Sequence, residues 1–600
     1  MALAHLSANK KEILCIRLFI FSTALFSCLL HHATAGETPP DKVENKPVAK
    51  YTSTGFFKTF YDNGRWWLLT PEGSRFYSIA ACSIHPYGDH APALGYNPYH
   101  RNILKLYGNE DAWATATTSR LLDWGFNSKG AWSSSHVKLP DFRILNFSGG
   151  HWLKGALPDF FSKDFADTAE KVARENTTPD DPNLIAYFLD NEMQWETDWR
   201  LGKPIFDQYA ALPADAAGKQ AMAEFFKKRY DSTAKMARVW QPSLNDWDAF
   251  GSVTEFKSVP GMEEHALTDR EAFTLHVAQQ YFRVTTESIR RHDPNHIIAG
   301  CRFVSWATPI VVVAACGQYC DIVSLNHYEL GPLGEAAYGL KKRAVRLIGG
   351  DLGFDIVYQL ARKPLLITEF SFRSADSGLP NTHPPGMFVQ PVVPTQAVRA
   401  EKYRHFVTTW AGRPFFVGHH WFKYMDEPKE GRFDGENGNY GLVDINDKPY
   451  ETFVAAVREI NGRLAEIHAH SAPSSMLDAA LMSFQQMHSW DRARLNAVIA
   501  AAAREESDPA TIFAASLALA AKDDASLVSR NEKGGVLLLL RTFEPKETKL
   551  AENKTLNAIH KETLAIARSD VRFIGVGVPG ILFEARADAS GDEVVLSVFR

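Results

Sequence analysis

Residues 184–200 read LIAYFLDNEMQWETDWR. The first six form an unbroken apolar run, with the length and aromatic content of a strand buried on both faces, as in a parallel sheet. The run stops at Asp190, Asn191 and Glu192, so an amide and two acids stand at the C-terminal end of a buried strand. In a (β/α)8 barrel, that end carries the catalytic residues. The competing reading is that these three residues cap a following helix, because Asp and Asn are good N-caps and early acids complement the helix dipole. A second strand-end acid elsewhere would separate the two readings.

The run 365–370, LLITEF, supplies one: Glu369 closes another buried strand. Between such runs the chain repeats one grammar of helical face, breaker and short apolar strand. Trp113, Ala116, Leu121 and Trp124 share a helical face before Gly125, and Phe273, Val277, Tyr281 and Val284 share another before Asp293-Pro294-Asn295. Phe354, Val357 and Leu360 precede Pro364, and Ala400, Tyr403, Val407 and Trp410 precede Gly412. Eight candidate strands begin near Phe76, Phe126, Ile144, Leu184, Ile297, Ile322, Leu365 and Phe415, the weakest being RILNF at 143–147. The fold class expected is α/β, a (β/α)8 TIM barrel over 51–467; an open α/β sheet is the alternative. Residues 195–261 then form an excursion on the catalytic side.

A short β-hairpin around Asp62-Asn63-Gly64 leads into the first strand. Ahead of it, 36–50 reads as a flexible lead-in. Residues 1–35 read as a signal peptide: Lys10, Lys11 and Arg17 precede the apolar run 18–30, and Ala33-Thr34-Ala35 offers a small-x-small cleavage pattern. An uncleaved anchor is the alternative, and Leu25-Phe26-Ser27-Cys28 resembles a lipoprotein box only loosely. The localisation expected is secreted, extracellular or periplasmic, with no stable membrane insertion after cleavage. Beyond the linker-like 471–475, residues 476–600 read as a separate C-terminal α+β region, with Ala-rich helices at 497–504 and 511–521 and strands at 536–540 and 581–584.

With 45% hydrophobic and 12% aromatic residues the chain can build a large core, and a net charge of −5 leaves no basic stripe for nucleic acid. Cys82, Cys301, Cys316 and Cys320 are too few for a disulfide framework and read as buried or unpaired thiols. No metal ligands are assigned and no cofactor is expected. Two carboxylates converging on one cleft fit glycoside hydrolysis: ~5–5.5 Å apart they give retention, ~6.5–9.5 Å apart inversion.

Asn191-Glu192 on a fourth strand and Glu369 on a seventh resemble the acid/base and nucleophile of the retaining (β/α)8 glycosidase clan. Further segments resemble the β-agarases of glycoside hydrolase family 50. These are Gly64-Arg65-Trp66-Trp67 with Thr70-Pro71-Glu72-Gly73, Trp124-Gly125-Phe126-Asn127, Asp293-Pro294-Asn295-His296, the run 417–428 (VGHHWFKYMDEP), Asp434-Gly435-Glu436-Asn437 and Tyr440-Gly441-Leu442-Val443-Asp444. The resemblance covers about 55–461 and departs from the family in two places. The lead-in is too short for the β-sandwich many members carry before the barrel, and Gly438-Asn439 stands where the family usually has an aromatic.

The resemblance implies a secreted retaining hydrolase cleaving β-1,4-galactosidic bonds of agarose or neoagaro-oligosaccharides, with Glu192 as acid/base and Glu369 as nucleophile. Another β-galactoside or polysaccharide, or a non-catalytic glycan-binding barrel, are the alternatives. Asn191 would bind the sugar 2-hydroxyl, and Tyr328, with Asn326 on the sixth strand, would reach the nucleophile. Trp421 and Trp132, at strand ends, offer flat indoles for a sugar face. His420 and Glu436, in the family-like segment, are candidate hydroxyl binders.

Overall fold

The apolar runs become buried strands in the computed structural model, which describes residues 51–473 except position 52, 150–156, most of 332–360 and 383–389. Past 473 it describes four strands, Val528–Arg530, Val536–Arg541, Phe583–Ala587 and Glu593–Val598. The expected signal peptide, lead-in and Ala-rich helices therefore lie outside the described residues.

Lys58–Asp62 and Arg65–Leu69 pair antiparallel, and Arg75–Phe76 adds a third strand. Asn63 and Gly64 have φ of 51° and 75°, the pair of positive values that a two-residue hairpin turn requires. The Trp66 N–H donates to Pro414 O at 2.7 Å, and Lys58 reaches Asn295 O. Both acceptors lie just before parallel strands begin, so this small sheet covers the end of the parallel sheet opposite the strand-end acids.

The main sheet is curled and parallel, giving an α/β fold. Its hydrogen-bonded order is Ile297–Ile298, Leu184–Phe188, Asp141–Ile144, Ser128–Lys129, Ser78–Ala81, Phe416–Trp421, Leu365–Phe370, Val323–Asn326, Phe303–Val304. Leu184–Phe188, Leu365–Phe370 and Phe416–Trp421 are buried at every position, as their unbroken apolar character demands. The two outermost strands are halves of one segment, 297–304. The carbonyl of Ile298 also accepts from Asp321 N (2.8 Å) and Ile322 N (3.2 Å) beside Val323–Asn326.

Three readings are corrected. The fifth strand is not continuous over 297–303: Gly300 (φ 65°) and Arg302 (φ 50°) leave extended geometry and split it. The third strand is Asp141–Ile144, not 143–147. No helix follows Asp190-Asn191-Glu192 directly, and 190–200 runs as turns before the helix Ile205–Ala210, so the capping reading fails.

Helices pack on the outside of the sheet where the periodicity places them. Glu110–Asp123, Lys163–Asn176 and Gln396–Ala411 start at Asn109, Ser162 and Thr395, whose side chains accept from Ala112 N, Phe165 N and Val398 N. Each such cap is worth about 1 kcal/mol. The 30-residue helix Glu263–His292 buries Phe273, Val277, Tyr281 and Val284. The excursion adds aromatic side chains to the same core, where Phe226 stacks on Phe256 at 5.4 Å and Phe206 on Trp240 at 5.6 Å. The four cysteines of the described residues are buried free thiols. The C-terminal strands pair antiparallel in the order 528–530, 536–541, 593–598, 583–587. No helix of the described residues is long and apolar enough to cross a membrane.

Gly418 marks where the eighth parallel strand closes on the first. A Cβ there would lie 2.4 Å from Ser78 O and 2.7 Å from Ser78 Cβ, and neither atom can swing away. Gly418→Ala should lower the midpoint of thermal unfolding, at a cost of about 1–3 kcal/mol. Gly462→Ala, whose nearest neighbour would be 3.7 Å away, should not.

Candidate active site

Four adjacent strand ends, the fourth to the seventh, form one hydrogen-bonded unit. Glu192 Oε1 accepts from Asn326 Nδ2 at 3.0 Å, and Asn326 Oδ1 accepts from Thr368 Oγ1 at 2.8 Å. Asn326 is the register partner of Glu369 on the neighbouring strand. Tyr328 Oη donates to Glu369 Oε2 at 2.6 Å. Both carboxylates are buried, Glu192 at 8% exposed and Glu369 at 5%.

Arg302 ties the unit together from the break in the fifth strand. Its Nη1 lies 2.9 Å from Glu369 Oε1 and donates to Asn191 Oδ1 at 2.6 Å, while Nη2 donates to Thr368 O at 2.9 Å and lies 3.7 Å from Cys82 Sγ. The guanidinium sits 4.3 Å over the Trp132 ring. A guanidinium removed from water needs these partners, since an unpaired buried charge costs several kcal/mol. Glu192 (φ 47°), Arg302 (φ 50°) and Trp132 (φ 60°) all hold left-handed backbone that non-glycine residues rarely adopt. Such strain, about 1–3 kcal/mol per residue, gathers where function fixes a side chain.

Burial pushes the Glu369 carboxyl up to about 7; the Arg302 guanidinium pulls it down, charge repulsion from the neighbouring Glu192 carboxyl whenever that group is ionised pushes it up, and the Tyr328 hydrogen bond pulls it down. Burial, then the charge of Glu369, lifts the Tyr328 phenol well above its ordinary range, so it stays a donor. Asp190 is turned away from this unit. It accepts from Ser148 N and Oγ and from Tyr281 Oη (2.6 Å), and burial lifts it to about 6 against those bonds. It braces the strand end.

Of the residues singled out from the sequence, Glu192, Glu369, Asn191, Asn326 and Tyr328 converge. Trp132 lies beside them, 38% exposed. Trp421 does not: it is fully buried, donates to Tyr440 O at 2.9 Å, and packs on Phe370, Tyr403 and Phe453 in the helix layer. It has no face open to a sugar, because its side chain points outward from the sheet. His420 points inward but lies deep, between Ser78 Oγ (3.2 Å), Phe142 and Phe188, and burial holds it well below its usual range, hence neutral. Glu436 is buried against Arg432 and accepts from Tyr440 Oη at 3.2 Å, bracing the loop after the eighth strand. Trp421, His420 and Glu436 are thus each engaged by protein partners.

Arg302 was missed from the sequence, yet a signal was there. It is the one charge inside the apolar stretch IIAGCRFV, and a charge buried in such a run demands a partner. Among the described residues no group of three or more His, Cys, Asp or Glu could hold a metal ion.

No family model matches the chain. Among curated proteins it is similar to β-agarase A of Vibrio sp. (strain JT0107), 30% identical over 399 residues, which is 60% of this chain and 37% of that protein. It is 25% identical to β-agarase B of the same strain over 491 residues, 69% of this chain and 48% of that protein. The chain therefore spans less than half the length of these curated relatives. Among solved structures it shares its fold with an exo-β-agarase, at 23% identity and TM-score 0.57 over 78% of this chain and 72% of that one. The agarase AgWH50C gives the same values, and BpGH50 gives 20% identity and TM-score 0.52 over 70% and 84%.

Arg302→Met removes the largest influence pulling Glu369 down. The carboxyl's titration midpoint, read by infrared difference spectroscopy against Glu369→Gln, should rise from about 7 by about one pH unit or more.

Proposed function

We propose that the chain is a β-agarase-like member of glycoside hydrolase family 50, a secreted retaining glycoside hydrolase cleaving β-1,4-galactosidic bonds of agarose or neoagaro-oligosaccharides; its similarity to two curated β-agarases supports this reading. The observation that carries this reading is the linked pair itself: Glu192 on Asn326, Glu369 between Tyr328 and Arg302, on four neighbouring strand ends. The catalytic domain is proposed as a closed (β/α)8 barrel over 51–467. Support comes from the eight parallel strand positions and from segment 297–304, which ends the sheet on both sides. Residues 1–35 are proposed as an export signal and 476–600 as a separate α+β region.

In the proposed cycle Glu369 attacks the anomeric carbon as Glu192 gives its proton to the departing glycosidic oxygen, forming a covalent glycosyl ester. Glu192, now a base, takes a proton from water, whose oxygen attacks the same carbon and frees Glu369. Two inversions give net retention. Tyr328 and Arg302 stabilise the Glu369 carboxylate when it leaves. Asn191, its amide oxygen held by Arg302, is fixed for the sugar 2-hydroxyl, and Trp132, backed by the guanidinium, is the candidate sugar platform.

Glu192→Gln and Glu369→Gln should each lower kcat on agaro-oligosaccharides by about 10²–10⁴ or more, and NMR of the first product should show the β-anomer. Unchanged hydrolysis in either variant on every glycan tested would remove the assignment. A protonated Glu369 cannot attack, so kcat/KM should fall as pH drops through about 7.

A further inference from the structure

Two residues of the polar unit, Glu192 (φ 47°) and Arg302 (φ 50°), stand on left-handed backbone. Neither is glycine, and such backbone persists only where the surrounding structure holds it. One buried hydroxyl reaches the residues just ahead of both. Tyr281, on the helix Glu263–His292, donates from its Oη to Asp190 Oδ2 at 2.6 Å, and the same Oη accepts from Cys301 Sγ at 3.3 Å. Asp190 stands two residues before Glu192, and Cys301 one residue before Arg302. The Leu189 N–H donates to Gly300 O at 2.8 Å, so backbone also joins the two segments.

Tyr281 and Cys301 are fully buried and Asp190 is 2% exposed. Burial, then the charge of Asp190, lifts the phenol well above its ordinary range, and burial does the same for the thiol, so both keep the protons these bonds need. The ring is itself fixed. It packs on Phe160 at 4.9 Å, on Phe282 at 5.0 Å and on Trp195, the third residue after Glu192, at 5.9 Å. Tyr281 therefore touches the chain on both sides of the acid, at Asp190 before it and at Trp195 after it.

We infer that Tyr281 is a positioning residue for the reaction: through Asp190 and Cys301 its hydroxyl fixes the strained backbone that carries Glu192 and Arg302, and so the place from which Glu192 gives its proton. The inference rests on the glycosidase reading above. Tyr281 acts through its neighbours and not by contact with the sugar, and a reacting group displaced by about 1 Å can cost on the order of a hundredfold in rate. Arg302 keeps its own bonds to Glu369 and the Thr368 carbonyl, so loss of the hydroxyl is felt mainly at Glu192.

The test uses the full-length chain and two substrates with one glycone: neoagarotetraose, whose departing oxygen needs a proton, and the 2,4-dinitrophenyl glycoside of neoagarobiose, whose phenolate departs as the anion. Tyr281→Phe keeps the ring and removes the hydroxyl. It should lose about 10–100-fold in kcat/KM on the tetrasaccharide, through kcat with KM little changed, and less than about threefold on the dinitrophenyl glycoside. Tyr403→Phe removes another fully buried hydroxyl, one bonded to Asn461 Oδ1 at 2.7 Å, and should show no such split. Equal losses on the two substrates, no loss, or an equal split in Tyr403→Phe would overturn the inference alone. A wild-type chain inactive on both substrates would instead remove the glycosidase reading and this inference with it. Should Tyr281→Phe fail to fold, Asp190→Asn is read in the same way. Its amide keeps the shape of the carboxylate but must turn an NH2 toward one of the donors that Asp190 accepts from, the phenol or Ser148, and the same split is expected. Its absence there contradicts the role assigned to Tyr281.

Discussion

One buried guanidinium constrains the whole site. Arg302 is fully buried, and the cost of taking its charge out of water is met only where Glu369, Asn191 and the Thr368 carbonyl all lie within reach. Those partners come from the fourth and seventh strands, and Arg302 itself from the break in the fifth. Trp132, from the loop after the second, closes one face of the cation. Displacing any of these strand ends would strand a charge in a low-dielectric interior, so the interaction fixes the geometry of the unit as much as it tunes its chemistry. It also opposes the effect of burial on the Glu369 carboxyl.

Successive side chains of a strand point to opposite faces of the sheet, and this divides the labour. On the seventh strand Glu369 faces the interior while Phe370 faces the helices, stacking on Phe406 at 4.3 Å. On the eighth, Trp421 pairs in register with Phe370 and shares its outward face, while His420 turns inward. A one-residue change of register would exchange the two sets, placing carboxylate in the helix layer and indole in the cleft. The antiparallel sheet at 58–76 covers the opposite end.

The sequence was most legible where one residue type had one physical use. Unbroken apolar runs located the strands, breakers separated them from helices, and acids at the ends of two such runs pointed to Glu192 and Glu369, which the fold brings into one hydrogen-bonded unit. It was less legible where parity or a backbone break decided the outcome. Trp421 ends a strand as a platform would, but which face it takes depends on its register with Phe370, which composition does not carry. The fifth strand reads as continuous because Ile297, Ile298, Phe303 and Val304 are all strand-formers, yet the interruption at Gly300–Arg302 is what delivers the guanidinium. His420 and Glu436 belong to a segment rich in functional residue types, and only burial shows them occupied with Ser78, Arg432 and Tyr440.

The central claim, that Glu369 is the nucleophile of a two-step reaction with Glu192 opposite it, is tested most directly by trapping the intermediate. A 2-deoxy-2-fluoro glycoside of the substrate with a good leaving group should inactivate the enzyme with time. Peptide mass spectrometry should then find the fluorosugar esterified to the peptide carrying Glu369. A label on any other residue, or turnover with no label and an inverted product, would contradict the account.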